Sequence, residues 1–237
     1  MMTSLTRTLT VFAVAIAIAM PFAANASDTL VKKEQYSGFL KDYSQLKEEK
    51  DAKGDKVMRY ISPKLTSGKY SKVMIDRVEF YPAPHPDKNV DSATLDQIRD
   101  YFDQALRQKI GEKTTVVDQA GPGVVRMRVA LTAVAAETAA LKAYQYIPIA
   151  LIVQGVKGAA GARAKNAELC TELEVLDSQS GERIGAVVKK GTGTEVKKVK
   201  EGEDKGEKMV ALDNVKPILD NWAQLAADFA GKNLRPR

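Results

Sequence analysis

VVRMRVALTAV, residues 124–134, decides how the rest of the chain reads. Val125, Met127, Val129, Leu131 and Ala133 alternate with Arg126, Arg128, Ala130 and Thr132. A period of two with one apolar phase predicts a half-buried strand from Val124 to about Val134. The turn Gly121-Pro122-Gly123 introduces it, and a short strand, Thr114–Val117, comes before that turn. Upstream, Lys72–Tyr81 predicts another strand. Val73 and Ile75 share one phase there and Val78 and Phe80 the other. The slip at Asp76-Arg77 predicts a bulge, because a one-residue shift exchanges the faces.

A helix is predicted over Ser92–Ile110, capped by Asp91 or Ser92 and followed by Gly111. Leu95, Ile98, Phe102, Ala105, Leu106 and Ile110 recur at helical spacing, and Asp103 and Arg107 form a favourable i,i+4 pair. Downstream, Ala167–Leu176 alternates Leu169, Thr171, Leu173 and Val175 with Glu168, Cys170, Glu172 and Glu174. The turn Asp177–Gly181 leads to a return strand carrying Ile184, Ala186 and Val188. Residues 189–208 mix Lys, Glu and Gly and read as a solvated loop. A final helix spans about Leu212–Lys232, with Val215, Ile218, Leu219, Trp222, Leu225, Ala226 and Phe229 as its apolar stripe. Pro217 is tolerated in a first turn, so the regular helix is expected to start near Asp213 or Asn214. Together these elements predict one α/β domain over 72–237. It is a two-layer sandwich of a mixed, mainly antiparallel sheet with two helices on one face and an Ala/Gly-rich insertion.

Two segments stand outside that core. Residues 27–71 are polar and read as an extended arm laid over the domain, with a short helix near Tyr36–Leu46 and anchors at Phe39, Leu40, Tyr43, Tyr60 and Tyr70. The insertion, 135–165, carries the apolar run Ile147–Val153 followed by Gly155, Gly158 and Gly161. In a helix, glycines three apart leave a flat side for close backbone approach. Three readings stay open: an insertion packed on the sheet, a self-association surface, or a membrane-touching loop. Ile149, Leu151, Ile152, Gly155, Gly158 and Gly161 are the residues of that candidate interaction surface.

The N-terminus supplies an address. Arg7 precedes the apolar run LTVFAVAIAIAM (9–20), Pro21 ends it, and Ala24 and Ala26 occupy the small-residue positions before a cut at Ser27. This is the pattern of a cleavable secretory signal peptide, 1–26. The run is well short of the roughly 20 residues that span a bilayer, so no stable membrane span is expected after cleavage. The expected product is a soluble periplasmic protein of 211 residues out of 237. The net charge of +6 for the whole chain is modest, and no Arg-rich stripe with aromatics accompanies it, which disfavours nucleic acid as a partner.

The chemistry inventory is short. The lone histidine, His85, sits among Pro82, Pro84 and Pro86, and neither clustered metal ligands, a phosphate loop nor a G-x-S-x-G elbow occurs. No catalytic residue, metal or cofactor is therefore assigned, and no enzymatic activity is expected. Cys170, the only cysteine, reads as a packed strand residue before it reads as a reactive thiol. Glu168, Glu172 and Glu174 share a strand face and would suit acid–base work, but cross-strand ion pairs with Arg126 and Arg128 account for them more simply.

SGFLKDYSQL from Ser37, Tyr60, Pro63, KYSKVMIDRVEFY from Lys69, DQAGPGVVRMRVALT from Asp118 and AELCTELEVLDSQSGERIGAVV from Ala167 resemble the domain-of-unknown-function 3313 family of bacterial exported proteins and lipoproteins. The resemblance covers nearly all of the chain after the leader. It implies an envelope protein without assigned activity, and it transfers no catalytic residue. Ser27 stands where a lipid-anchored relative would carry cysteine. Two functions follow as expectations: a non-catalytic envelope interaction module, with an unknown envelope protein or a second copy as partner, or a periplasmic binder of a small amphiphile.

Overall fold

The computed structural model describes residues 30–65, 68–84, 90–132, 154–157, 163–195 and 210–234. In chain order the elements are β1 (Lys47–Lys50), β2 (Lys56–Ile61), β3 (Lys72–Ile75), β4 (Glu79–Phe80), α1 (Ser92–Gly111), β5 (Thr115–Val117), β6 (Val124–Thr132), β7 (Gln154–Lys157), β8 (Arg163–Asp177), β9 (Arg183–Glu195) and α2 (Leu212–Asn233). The nine described strands form one mixed sheet in the order β1-β2-β9-β8-β6-β3-β5, with β4 beside β6 and β7 beside β8. Parallel pairing is confined to β3 with β5 and β6, and β4 with β6, where α1 forms the crossover that such pairs need. The remaining pairs are antiparallel. This is the predicted α/β architecture.

The predicted slip at Asp76-Arg77 is a break between β3 and β4. Its backbone groups are satisfied by α1: Arg107 Nη2 donates to the Ile75 carbonyl (2.8 Å) and the Val78 amide donates to Asp103 Oδ1 (2.9 Å). The predicted Asp103–Arg107 pair forms at 2.8 Å, and it thereby does more than stabilise its own helix. Asp91 caps α1 by accepting from the Thr94 amide (2.7 Å).

Three expectations change. Residues 27–71 are not simply an arm: β1 and β2 form a hairpin that extends the sheet beside β9, with Met58 opposite Val188. No helix forms over Tyr36–Leu46; among the described residues of this stretch there is a single 3-10 turn, Lys33–Gln35. The expected loop from Lys189 begins as strand, because β9 runs on to Glu195. Gly191 and Gly193 explain that extension. A Cβ on Gly191 would stand 2.4 Å from Ile218 Cγ2, and one on Gly193 2.0 Å from the Asn214 carbonyl oxygen, so these glycines let α2 rest directly on the strand.

α2 begins at Leu212 rather than Asp213 or Asn214, which puts Pro217 beyond the first turn. Helices α1 and α2 lie on one face over Val73, Ile75, Val125, Met127, Val129 and Leu131, with Phe102 and Trp222 in ring contact (6.0 Å between centroids). A register shift at Val175/Leu176 puts Ile184 in this core while Ala186 and Val188, in the same strand, face the other way.

The other face is covered by the segment before β1, a strap of residues 30–46. Val31, Phe39 and Leu40 are buried there against Ala130, Cys170, Ala186 and Val188, with Tyr36 stacked on Tyr43 (4.4 Å). Tyr70, grouped with these anchors in the sequence, packs instead in the helix-side core.

Candidate functional site

The carboxylate row on β8 has the predicted alternation, and it is buried. Glu168, Glu172 and Glu174 retain 6%, 1% and 7% of their accessible surface because the strap and neighbouring strands cover them. A buried carboxylate needs partners, and each has its own. Glu174 sits opposite Arg128 and accepts from Nη1 at 2.5 Å, as the cross-strand reading required. Arg126 departs from it and clamps Asp76 (2.7 Å).

Glu172 accepts the Ser37 amide (2.8 Å) and the Tyr43 hydroxyl (2.6 Å), so it fastens the strap. Burial and then this carboxylate push the Tyr43 phenol well above its ordinary value. Glu168 faces Thr192 (3.4 Å) and Lys190 (3.6 Å), and burial raises its pKa more than Lys190 lowers it. Cys170, between these glutamates, is buried and its thiol is pushed well up, which keeps it protonated and unreactive.

Two further anchors hold the strap. Arg183 Nη1 donates to the carbonyls of Leu40 (2.9 Å) and Asp42 (2.6 Å), and the Arg128 guanidinium lies 4.8 Å from the Phe39 ring centroid. Glu172 thus fastens the strap, while Glu174 and Glu168 are ion-paired within the sheet with Arg128 and Lys190.

A different candidate lies on the helix side. In α2 the predicted apolar stripe buries Val215, Ile218, Leu219 and Trp222, but Leu225, Ala226 and Phe229 are only half-buried. These three line a cavity of about 410 Å³ whose opposite wall is the β2-β9-β8 part of the sheet, including Val57, Ile61, Leu173, Val175 and Val187. Such a volume, with mostly apolar walls, lies within the range of small-molecule sites.

The β1–β2 hairpin supplies the wall that the sequence did not reveal, since that stretch read as an arm. The cavity also contains a charged group on the helix side: Lys189, 4% exposed, is ion-paired with Asp51 and lies 3.2 Å from Asp55. Burial would raise the Asp51 carboxyl, but the Lys189 ammonium and the Lys53 and Asp55 amides hold it below its ordinary value.

Of the residues proposed for an interaction surface, Gly155 lies in β7 opposite Lys165, so the helical reading of its spacing does not hold there. Ile149, Leu151, Ile152, Gly158 and Gly161 lie outside the described residues, as do Ala24, Ala26, Ser27 and His85. Among the described residues no helix is long and apolar enough to cross a membrane, and no three His, Cys, Asp or Glu side chains are grouped to hold a metal ion.

Residues 35–226 match the family model described as "Protein of unknown function (DUF3313)". The chain belongs to the DUF3313 family. The strap from Gln35 and α2 as far as Ala226 fall inside the matched span, while Val31 of the strap and Phe229 and Lys232 of the cavity lie beyond it. The chain is similar to the uncharacterized lipoprotein YdcL of Escherichia coli strain K12, with 29% identity over 206 residues, covering 87% of this chain and 90% of that one. The protein of the same description from E. coli O157:H7 aligns identically well. Among solved structures, a PelC dodecamer from Paraburkholderia phytofirmans is similar at 10% identity and a TM-score of 0.33, covering 76% of this chain and 97% of that chain.

Proposed function

We propose that this DUF3313 chain is an exported envelope protein that holds a small amphiphile in the cavity beneath α2 and catalyses no reaction. The observation that carries this reading is the half-buried apolar flank of α2, Leu225, Ala226 and Phe229, standing over a sheet wall that is itself apolar. A protein interior is normally filled to crystal-like density, so an apolar space of this size is a feature that a ligand can fill.

Export is supported by the leader 1–26 and by the similarity to a relative described as a lipoprotein. The non-catalytic part is supported by Glu172 and Glu174, whose hydrogen bonds go to Ser37, Tyr43 and Arg128 rather than to an open cleft.

The test is extraction of the purified protein followed by mass spectrometry, alongside an Ala226→Trp variant that fills the cavity. A co-purifying amphiphile that disappears in the variant is expected. An empty wild-type protein that also takes up no added amphiphile would remove the proposal. Loss of a measured hydrolytic activity in a folded Glu172→Gln variant would return the chain to the enzymes.

A further inference from the structure

The cavity of the preceding reading has a mouth whose charge is uneven. Its charged lining consists of Lys50, Arg59, Lys189 and Lys232 against Asp51 and Asp228. Three of these charges are already paired. Arg59 is ion-paired with Glu49 and Lys189 with Asp51 and Asp55, while the Asp228 carboxylate accepts from the neutral Gln224 amide (2.9 Å) and keeps its charge. Lys50 at the end of β1 and Lys232 in the last turn of α2 are both exposed, and neither has an ion pair among the described residues. The mouth therefore offers two ammonium groups on opposite walls of an apolar chamber.

We infer that the occupant is a single-chain amphiphile with an anionic headgroup, a carboxylate or a phosphate or sulfate monoester. Its tail lies along Leu225, Ala226 and Phe229, and its head is taken by Lys50 and Lys232. This rests on the cavity being a binding site and adds the chemistry of the head. Tail burial supplies most of the affinity, and the exposed ammonium groups supply the choice of sign, because surface charges select partners more than they hold them. Trp222 is the only tryptophan in the chain and lines the same cavity, so its emission reports occupancy directly.

The experiment follows Trp222 fluorescence of the full mature protein during titration with laurate, dodecyl sulfate, methyl laurate, dodecyltrimethylammonium and acetate, each kept below micelle formation. Laurate and dodecyl sulfate are expected to shift the emission saturably, methyl laurate more weakly, and the cationic amphiphile and acetate not at all. A Lys50→Glu/Lys232→Glu variant, altered only at exposed positions, is expected to bind laurate about tenfold more weakly, the effect that two reversed surface charges imply. Equal binding of laurate and methyl laurate, or unchanged laurate affinity in the variant, would overturn the headgroup assignment and leave the cavity reading standing. A response to acetate alone would overturn it as well, since the tail would then be irrelevant. No response to any amphiphile would sink both.

Discussion

On the helix side, Leu95, Ile98, Phe102, Leu106, Leu219 and Trp222 close the sheet with side chains that make no ion pairs and few directional contacts. On the strap side a handful of apolar residues, Val31, Phe39 and Leu40, are set in place by Glu172, Arg183 and Arg128. The first cover is two long helices whose burial is large enough to hold them, and exact partners matter less there. The second is a short irregular segment whose backbone groups need named acceptors and donors, because no helix or strand satisfies them internally. One sheet is thus closed mainly by area on one face, where Asp103 and Arg107 add local bonds at the β3–β4 break, and mainly by specific hydrogen bonds on the other.

That contrast can be broken experimentally. The largest effect is expected from Leu219→Ala, which removes a fully buried side chain from the helix side and should lower global stability by about 2–5 kcal/mol in urea unfolding. A loss of a few tenths would mean that α2 is not part of the core. Next, Glu172→Ala strips the Ser37 amide and Tyr43 hydroxyl of their acceptor and should cost about 1–3 kcal/mol. Hydrogen exchange should show the loss at residues 36–46 while α1 keeps its protection; equal deprotection of α1 would show that the faces open together.

Asp177, at the β8–β9 turn, sharpens the comparison through pH. The Ser180 amide, then the Tyr70 hydroxyl and Lys69, hold its carboxyl well below the usual range. A depressed carboxylate stabilises the fold above its unfolded value of about 4, and that stability drains away as pH falls below it. Wild-type protein should therefore lose stability in acid faster than Asp177→Asn, by about 1.5 kcal/mol for a charged hydrogen bond, read from melting curves between pH 5 and pH 2; parallel curves would contradict the assignment. Arg126→Ala, which breaks only the exposed contact with Asp76, should cost about 0–1 kcal/mol in the same unfolding assay. A larger loss would show that this exposed pair contributes more than a surface ion pair.

The regular core was legible because its residues repeat with strand or helix period: β6, β8 and α1 appear within a few residues of their predicted bounds, and Asp103 and Arg107 meet as their spacing implied. Arg128 and Glu174 also pair across strands as read, but much else defined by a partner far along the chain escaped. KEEK in β1 has no apolar phase, because all four of its residues are exposed at the sheet's edge, so its pairing is invisible locally. Gly191 and Gly193 looked like loop residues, and only the approach of α2 shows why they are glycine in a strand. The cavity escaped for a related reason. Leu225, Ala226 and Phe229 continue the stripe of α2, and periodicity says that a face is apolar without saying whether anything fills the space before it.

The contact between the end of β9 and the start of α2 also bears on how the chain could be rewired. Asn214 bonds Thr194 (3.4 Å) and its carbonyl lies directly over Gly193, so the two ends of the 195–210 connection are already held together by non-covalent means. A protease site placed in that connection should leave the two fragments associated after cutting, and new termini opened there should yield a circular permutant with α2 still in its seat.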